Sequence, residues 1–322
     1  VCKKATWTMA GLFLISFDCE GNWGIADRRD RIESRFITRH GLSQAYLALL
    51  KLLDVYDMPA TFAFVMAFVL RDSERAEWQT RLTDVTCDGR NWMENFRRAE
   101  SRCDLDGWFC PEALDMVMAD RRHEIGCHGL RHVPFTGEGV TEDVIRIELA
   151  CASEIASSRG IDLRTFVFPR NEVGRPDLLA EYGYRGFRNA HPRLGRLGRI
   201  GNLLRECDVW ERAQPEETSV SGLVSIPGGC FINWQKGARR LVPRSLCRAR
   251  WKSIIADAAD NDRVAGVFLH PHNLIDGPET LLFLEDVLAL VAEYREKRGL
   301  RVVTQAEYCA ERAIAHCTPA FN

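Results

Sequence analysis

Leu12-Phe13-Leu14-Ile15-Ser16-Phe17-Asp18-Cys19-Glu20-Gly21 is the stretch that decides the fold. Leu12 to Phe17 is a compact apolar run of the kind that forms a strand buried on both faces in a parallel sheet. It ends in two carboxylates. Side chains two apart on a strand point the same way, so Asp18 and Glu20 face one site while Cys19 points elsewhere. Carboxylates placed just past a buried strand sit where α/β barrels carry their chemistry, at the carboxyl ends of the strands.

Working outward, strand and helix patterns alternate. Helical periodicity runs through Leu42, Tyr46, Leu49, Leu50 and Leu53, and Pro59 breaks it before a second buried strand over Ala60 to Phe68. Further strands are predicted at Glu124–Cys127, Arg164–Phe168, Tyr184–Phe187, Gly222–Ile226, Val264–Leu269 and Arg301–Val303. Helices are predicted at 111–121, 141–158, 175–182, 245–259 and 279–298. This order calls for about seven parallel strands with outer helices, a distorted, incomplete (β/α) barrel. One domain is expected over 12–314. It carries an inserted segment at about 70–110, a long loop at about 191–220, a ragged leader at 1–11 and a tail at 315–322. The insert holds Trp78, Trp92 and Trp108 and is expected to contribute substrate contacts.

Composition narrows the function. With 322 residues and 46% hydrophobic content, the chain has the usage of an ordinary globular protein. A formal net charge of −2 argues against an electrostatic nucleic-acid binder. The basic cluster Arg239, Arg240, Arg244, Arg248 and Arg250 reads as a solvated helix face, with an anionic substrate or lipid headgroup as the alternative. The 12 cysteines are scattered through apolar runs and include no C-x-x-C pair, which suits reduced, buried thiols and a cytoplasmic location. No apolar stretch approaches the roughly 20 residues of a membrane span, so any membrane association is expected to be peripheral.

The chemistry lies in what joins the carboxylates. His128-Gly129-Leu130-Arg131-His132 places two imidazoles four residues apart, and His270-Pro271-His272-Asn273 follows another predicted strand. One carboxylate with two imidazoles suits Zn²⁺ or another divalent ion such as Co²⁺ or Ni²⁺, and leaves the second carboxylate free as a base. His123-Glu124 opens like the zinc-protease H-E-x-x-H pattern, but Cys127 stands where the second His should be. Cysteine catalysis is disfavoured, because strand alternation turns Cys19 away from the site.

Four ordered segments, Phe17-Asp18-Cys19-Glu20, His123 to His132, Phe168-Pro169-Arg170-Asn171 and Phe268 to Asn273, resemble the motifs of the polysaccharide deacetylases. These are the NodB-homology proteins of carbohydrate esterase family 4, and the Asp-x-Glu first motif is similar to their non-secreted, allantoinase-like branch. The resemblance implies a distorted (β/α) barrel and a metal-dependent amide hydrolysis. It implies Asp18 as general base, Glu20, His128 and His132 as metal ligands, and His270 as general acid with His272 as rival. Arg170 is expected to orient and tune Asp18. Trp23, Asn171 and Asn273 are candidate substrate contacts, and Trp210 or the Pro227-Gly228-Gly229 turn is expected to shape the pocket. The expected substrate is an acetamido sugar, nucleotide- or lipid-linked, from surface-polysaccharide synthesis. The alternatives are a cyclic amide or ureide hydrolase and a catalytically degenerate sugar-binding homologue.

Overall fold

The computed structural model describes residues 10–27, 37–190, 206–215, 219–232 and 241–317. Most of the expected leader, part of the 191–220 loop, Arg239 and Arg240 lie outside the described residues. Nine strands form one all-parallel sheet. They are β1 (Leu12–Cys19), β2 (Thr61–Phe64), β5 (Glu124–Cys127), β6 (Thr165–Val167), β7 (Gly186–Arg188), β8 (Val224–Ile226), β9 (Cys230–Phe231), β10 (Val264–Leu269) and β11 (Arg301–Val303). Their order is β8-β7-β6-β5-β2-β1-β10-β9, with β11 paired to β1. The sheet curls into a half-barrel with helices around it. Among the described residues no ladder joins β8 to β9, so the barrel is incomplete.

The helices are α1 (Arg39–Val55), α2 (Asp72–Trp78), α3 (Glu94–Ser101), α4 (Pro111–Met118), α5 (Glu142–Ser157), α6 (Pro176–Glu181), α7 (Arg244–Asp260), α8 (Glu279–Arg298) and α9 (Gln305–Cys317). The second strand is shorter than its apolar run suggests, because Met66–Val69 turns into a buried 3-10 helix. Apolar composition alone does not separate the two. The two-residue β9 and the helix α9 were not foreseen, and α9 carries the domain past its expected end at 314.

β1 shows why the interior is layered. Leu12 and Leu14 face the lumen and pack with Val224, Ile226, Val303, Tyr308 and Cys309 in a small core at the amino-terminal end of the barrel. The next inward positions are Ser16 and Asp18, so the lumen becomes polar toward the carboxyl end. Phe13, Ile15, Phe17 and Cys19 belong instead to the large core beneath the helices. That partition is the two-residue period of a strand.

Helix α9 closes the amino-terminal end through Glu124. The carboxylate accepts hydrogen bonds from Thr61 Oγ1 at 2.7 Å, from Thr165 Oγ1 and from the amide of Ala306 at 2.9 Å. The amide of Gln305 donates to Thr61 Oγ1 at 2.9 Å. Two of the otherwise unsatisfied amides of a helix start are thus bound by strand side chains. The inserted segment holds the short hairpin β3 (Thr86–Cys87) and β4 (Arg90–Asn91) besides α2 and α3.

Burial pushes the Glu124 carboxyl above its ordinary range, and the three hydrogen bonds offset this only in part. Folded protein therefore binds this proton more tightly than unfolded protein, and the increment of stability is lost as pH rises through the elevated value. Glu124→Gln does not titrate. Its urea midpoint relative to wild type should improve between about pH 4 and pH 8, and a pH-independent difference would refute this. Glu124→Ala, which does not titrate either, should cost about 2–3 kcal/mol at pH 4 and less at pH 8, because it takes the acceptor from two hydroxyls and an amide.

Candidate metal centre

Strand register brings three segments to one level. Phe17 pairs with Leu269 of β10, which places His270 beside Asp18. Phe64 of β2 lies opposite both Cys19 and Cys127, which places His128 near Glu20. Glu20 precedes a 3-10 turn, Gly21–Ile25, without capping it, so its carboxylate is directed into the cluster. A Cβ on Gly24 would overlap that carboxylate, so the turn needs glycine there to leave Glu20 its place.

Glu20 Oε2 lies 2.9 Å from His132 Nε2 and 3.4 Å from His128 Nε2. All three residues are buried, and they form a group able to hold a metal ion. The His128 Nδ1 is 2.7 Å from the carbonyl oxygen of Val167. A carbonyl only accepts, so Nδ1 carries the hydrogen and Nε2 keeps its lone pair facing Glu20, the tautomer a metal ligand needs. Bonds of about 2.0–2.1 Å at tetrahedral angles space ligand atoms about 3.3 Å apart. The observed spacings match, so these residues fit a divalent ion. Burial would raise the pKa of Glu20, but the positive charge of His270 and His132 and the hydrogen bond from His132 hold it well below the usual carboxylate range.

The loop bearing the two His is fixed from behind. Glu148 of α5, fully buried, accepts the amides of Leu130 and Arg131 at 2.9 Å each and Arg131 Nε at 2.6 Å. Trp92 Nε1 donates to the carbonyl of Arg131 at 3.1 Å. Neither contact was anticipated, since Glu148 reads in sequence as one more acidic residue on an amphipathic helix. The inserted segment also braces the turn after Glu20. The Asn22 amide donates to Gly107 O at 3.0 Å, and Trp23 Nε1 to Trp108 O at 2.7 Å.

Trp23 is therefore no substrate contact. Its ring is fully buried among Phe96, Trp108 and Phe109. Trp78, Trp92 and Trp108 are buried as well, and Trp92 and Trp108 brace the turns that bear His132 and Glu20.

The arginine that tunes Asp18 is Arg188, not Arg170. Arg188 ends β7 and points into the lumen, where Nη1 donates to Asp18 Oδ1 at 2.7 Å and to Ser16 Oγ at 2.8 Å. Its Nη2 donates to Asp18 Oδ2 and Asn171 Oδ1, both at 2.7 Å. Arg170 and Asn171 have φ of 61° and 54°. This left-handed pair swings the Arg170 guanidinium over the ring of Trp92, at 4.7 Å, and onto Asp27. Burial would raise the pKa of Asp18, but the charge and hydrogen bonds of Arg188 outweigh it and hold the carboxyl below its ordinary value. The expected strand stopped at Phe187. A strand-end arginine alternating with a buried Phe was the signal available.

His270 Nε2 lies 3.8 Å from Asp18 Oδ2 and 3.6 Å from Glu20 Oε1, and its Nδ1 faces Asn273 Oδ1 at 3.2 Å. The ring of His272 is stacked on it at 5.1 Å. Asn171 and Asn273 thus spend their side-chain oxygens on Arg188 and His270, not on a ligand. Trp210 is 76% exposed, and the Pro227-Gly228-Gly229 turn joins β8 to β9. In the basic stretch, Arg250 is buried on Glu206 and Glu211, and Arg244 pairs with Asp286, so neither is a free phosphate ligand. Cys19 is buried, with its thiol pushed well up by burial, and Cys127 is pushed up to about 12, which suits neither to nucleophilic work. No disulfide forms among the described residues. No helix among them is long and apolar enough to cross a membrane.

No protein-family model and no curated protein matches the chain. Solved structures do. A candidate polysaccharide deacetylase from Mycobacterium smegmatis superposes with a TM-score of 0.58 at 17% identity, over 98% of this chain and 94% of that one. Another from Pseudomonas aeruginosa PAO1 gives 0.54 at 13% identity, over 95% and 91%. Puue allantoinase gives 0.51 at 14% identity, over 97% and 93%. The likeness is one of fold and spans nearly the whole of each chain: this protein has the architecture of the polysaccharide deacetylases, with Puue allantoinase sharing it.

Proposed function

We propose that the chain is a metal-dependent hydrolase that removes the acetyl group from an acetamido sugar. One observation carries the reading: two carboxylates two residues apart enter one cluster in different electrostatic roles. Glu20 joins His128 and His132 as a ligand set, while Asp18 stands beside that set, held ionised by Arg188. Zn²⁺, or Co²⁺ or Ni²⁺ in its place, would polarise the acetyl carbonyl when bound.

The chain's own groups do the rest. Asp18 takes a proton from the attacking water as its oxygen bonds to the acetyl carbon. The carbon–nitrogen bond then breaks, and His270 gives its proton to the leaving nitrogen, so that acetate and an amino sugar result. His270 suits this role better than His272 because its Nε2 faces both carboxylates while Asn273 fixes the ring. Two His and a carboxylate with a separate base also serve hydrolysis of a cyclic amide or ureide, the reaction class suggested by the allantoinase neighbour.

The test compares wild type with His128→Ala/His132→Ala for tightly held metal and for acetate release. Substrates are N-acetyl sugars presented free, nucleotide-linked and lipid-linked, with a cyclic ureide alongside. One tightly held ion per wild-type chain, and its loss together with acetate release in the double variant, is the expected result. Ureide opening without acetate release would move the protein to the second reading. Metal-free wild type inert on every substrate after reconstitution would mark a degenerate homologue.

Arg188→Gln should lower kcat/KM by about 10²-fold, because the base loses its bidentate partner. The burial that raises the Asp18 pKa is then opposed only by the charges of His128 and His270, so the acid limb of the pH–rate profile should move to higher pH. Arg170→Gln should leave that limb in place, and the reverse pattern would overturn the assignment.

A further inference from the structure

The two oxygens of Glu20 face different imidazoles. Oε2 addresses His132 and His128, whereas Oε1 lies 3.6 Å from His270 Nε2. Glu20, His270 and His272 form a second group whose ligand atoms all lie within 4.8 Å of one another. The Glu20–His270 spacing is close to the roughly 3.3 Å edge of a tetrahedral site. The rings of His270 and His272 are parallel within 5°, so an ion there needs the half-buried His272 to reorient toward Glu20. Asn273 Oδ1 accepts from His270 Nδ1, which leaves Nε2 aimed at Glu20.

We propose that Glu20, His270 and His272 form a second divalent-cation site, bridged through Glu20 to the Glu20–His128–His132 site, and that filling it inhibits the enzyme. A bridging carboxylate is the ordinary way for two ions to share one pocket. The second site is the weaker one. His128 and His132 side chains are 2% and 4% exposed, whereas His270 is 23% exposed, so ligands of the second site are less fixed and more hydrated. Two imidazoles and a carboxylate favour Zn²⁺, Co²⁺ or Ni²⁺ over Mg²⁺ or Ca²⁺. Inhibition rests on the deacetylase reading: an ion on His270 Nε2 occupies the atom that hands a proton to the leaving nitrogen.

The test titrates metal-free protein with Co²⁺ and with Zn²⁺, following bound metal by equilibrium dialysis and the Co²⁺ ligand-field spectrum. Wild type should take two ions per chain, the second at least about 10-fold more weakly. His272→Ala and His272→Gln should each take one, and His128→Ala/His132→Ala should take one through the remaining group. Saturation of wild type at one ion, or two ions in both His272 variants, overturns the site. Acetate release should peak near one equivalent and fall at least about 5-fold as the second fills, with no fall in the His272 variants. Release that keeps rising with the second ion overturns inhibition. Two ions bound without any acetate release would sink the deacetylase reading, and inhibition with it, while the site itself stands.

Discussion

The buried pair between Arg188 and Asp18 is the constraint on which this structure turns. Both side chains are 2% exposed, so each has given up its hydration, and losing either partner would leave a bare charge in the lumen at a cost of about 3–5 kcal/mol. Such a pair is poor economy for stability alone. Ser16 and Asn171 take further hydrogen bonds from the guanidinium, and the face of Phe268 lies 4.2 Å from it. The pair also ties β1 to β7, strands that are not neighbours in the sheet, across the lumen of a barrel that is not closed. Below it the lumen is filled by Leu12, Leu14 and Tyr308, and above it lie the imidazoles. The switch from apolar to charged takes place within four residues of one strand.

Around that pair the backbone is held in uncommon conformations. His132, Arg170 and Asn171 all have positive φ, at 61°, 61° and 54°, and all three lie in turns at the carboxyl end of the sheet. Left-handed residues other than glycine cost of order 1 kcal/mol or more and persist where their surroundings over-determine them. Here the surroundings can be named. Glu148 binds the backbone amides leading into His132, Trp92 holds the carbonyl of Arg131, and Arg188 holds Asn171. The turns that bear His132 and Asn171 are thus pinned by side chains from other elements.

Local period made the frame of the site readable from sequence. Two-residue alternation put Asp18 and Glu20 together and Cys19 in the outer core, whereas His128 and His132 meet on one oxygen through a non-helical turn with positive φ at Gly129 and His132. What escaped was tertiary. Arg170 drew attention by adjacency to Pro169, yet the left-handed turn at 170–171 sends it to Asp27, and the arginine that matters comes from the next strand. Glu148 lies 17 residues from Arg131; helical period places it on the buried face with Ile145, Leu149 and Ala152, but not which backbone amides it would bind. Trp23 reads in sequence as a candidate substrate contact. In the fold, the 3-10 turn rotates it outward into an aromatic cluster supplied by a segment some 85 residues away.

Asp18 and Glu20 are a controlled comparison made by the chain itself. They are near-identical groups, two positions apart, both buried, and both facing the lumen. What separates them is the partner. Asp18 meets a permanent cation through both oxygens, which fixes its charge and orientation and leaves each oxygen a further acceptor site. Glu20 meets only imidazoles, whose lone pairs an ion can take up in place of their protons, so it is suited to be a ligand. On the proposed reading this difference in environment would divide base from ligand between two carboxylates, as it divides acid from base in other hydrolytic pairs. The strand fixes their separation, and Arg188 decides which is which.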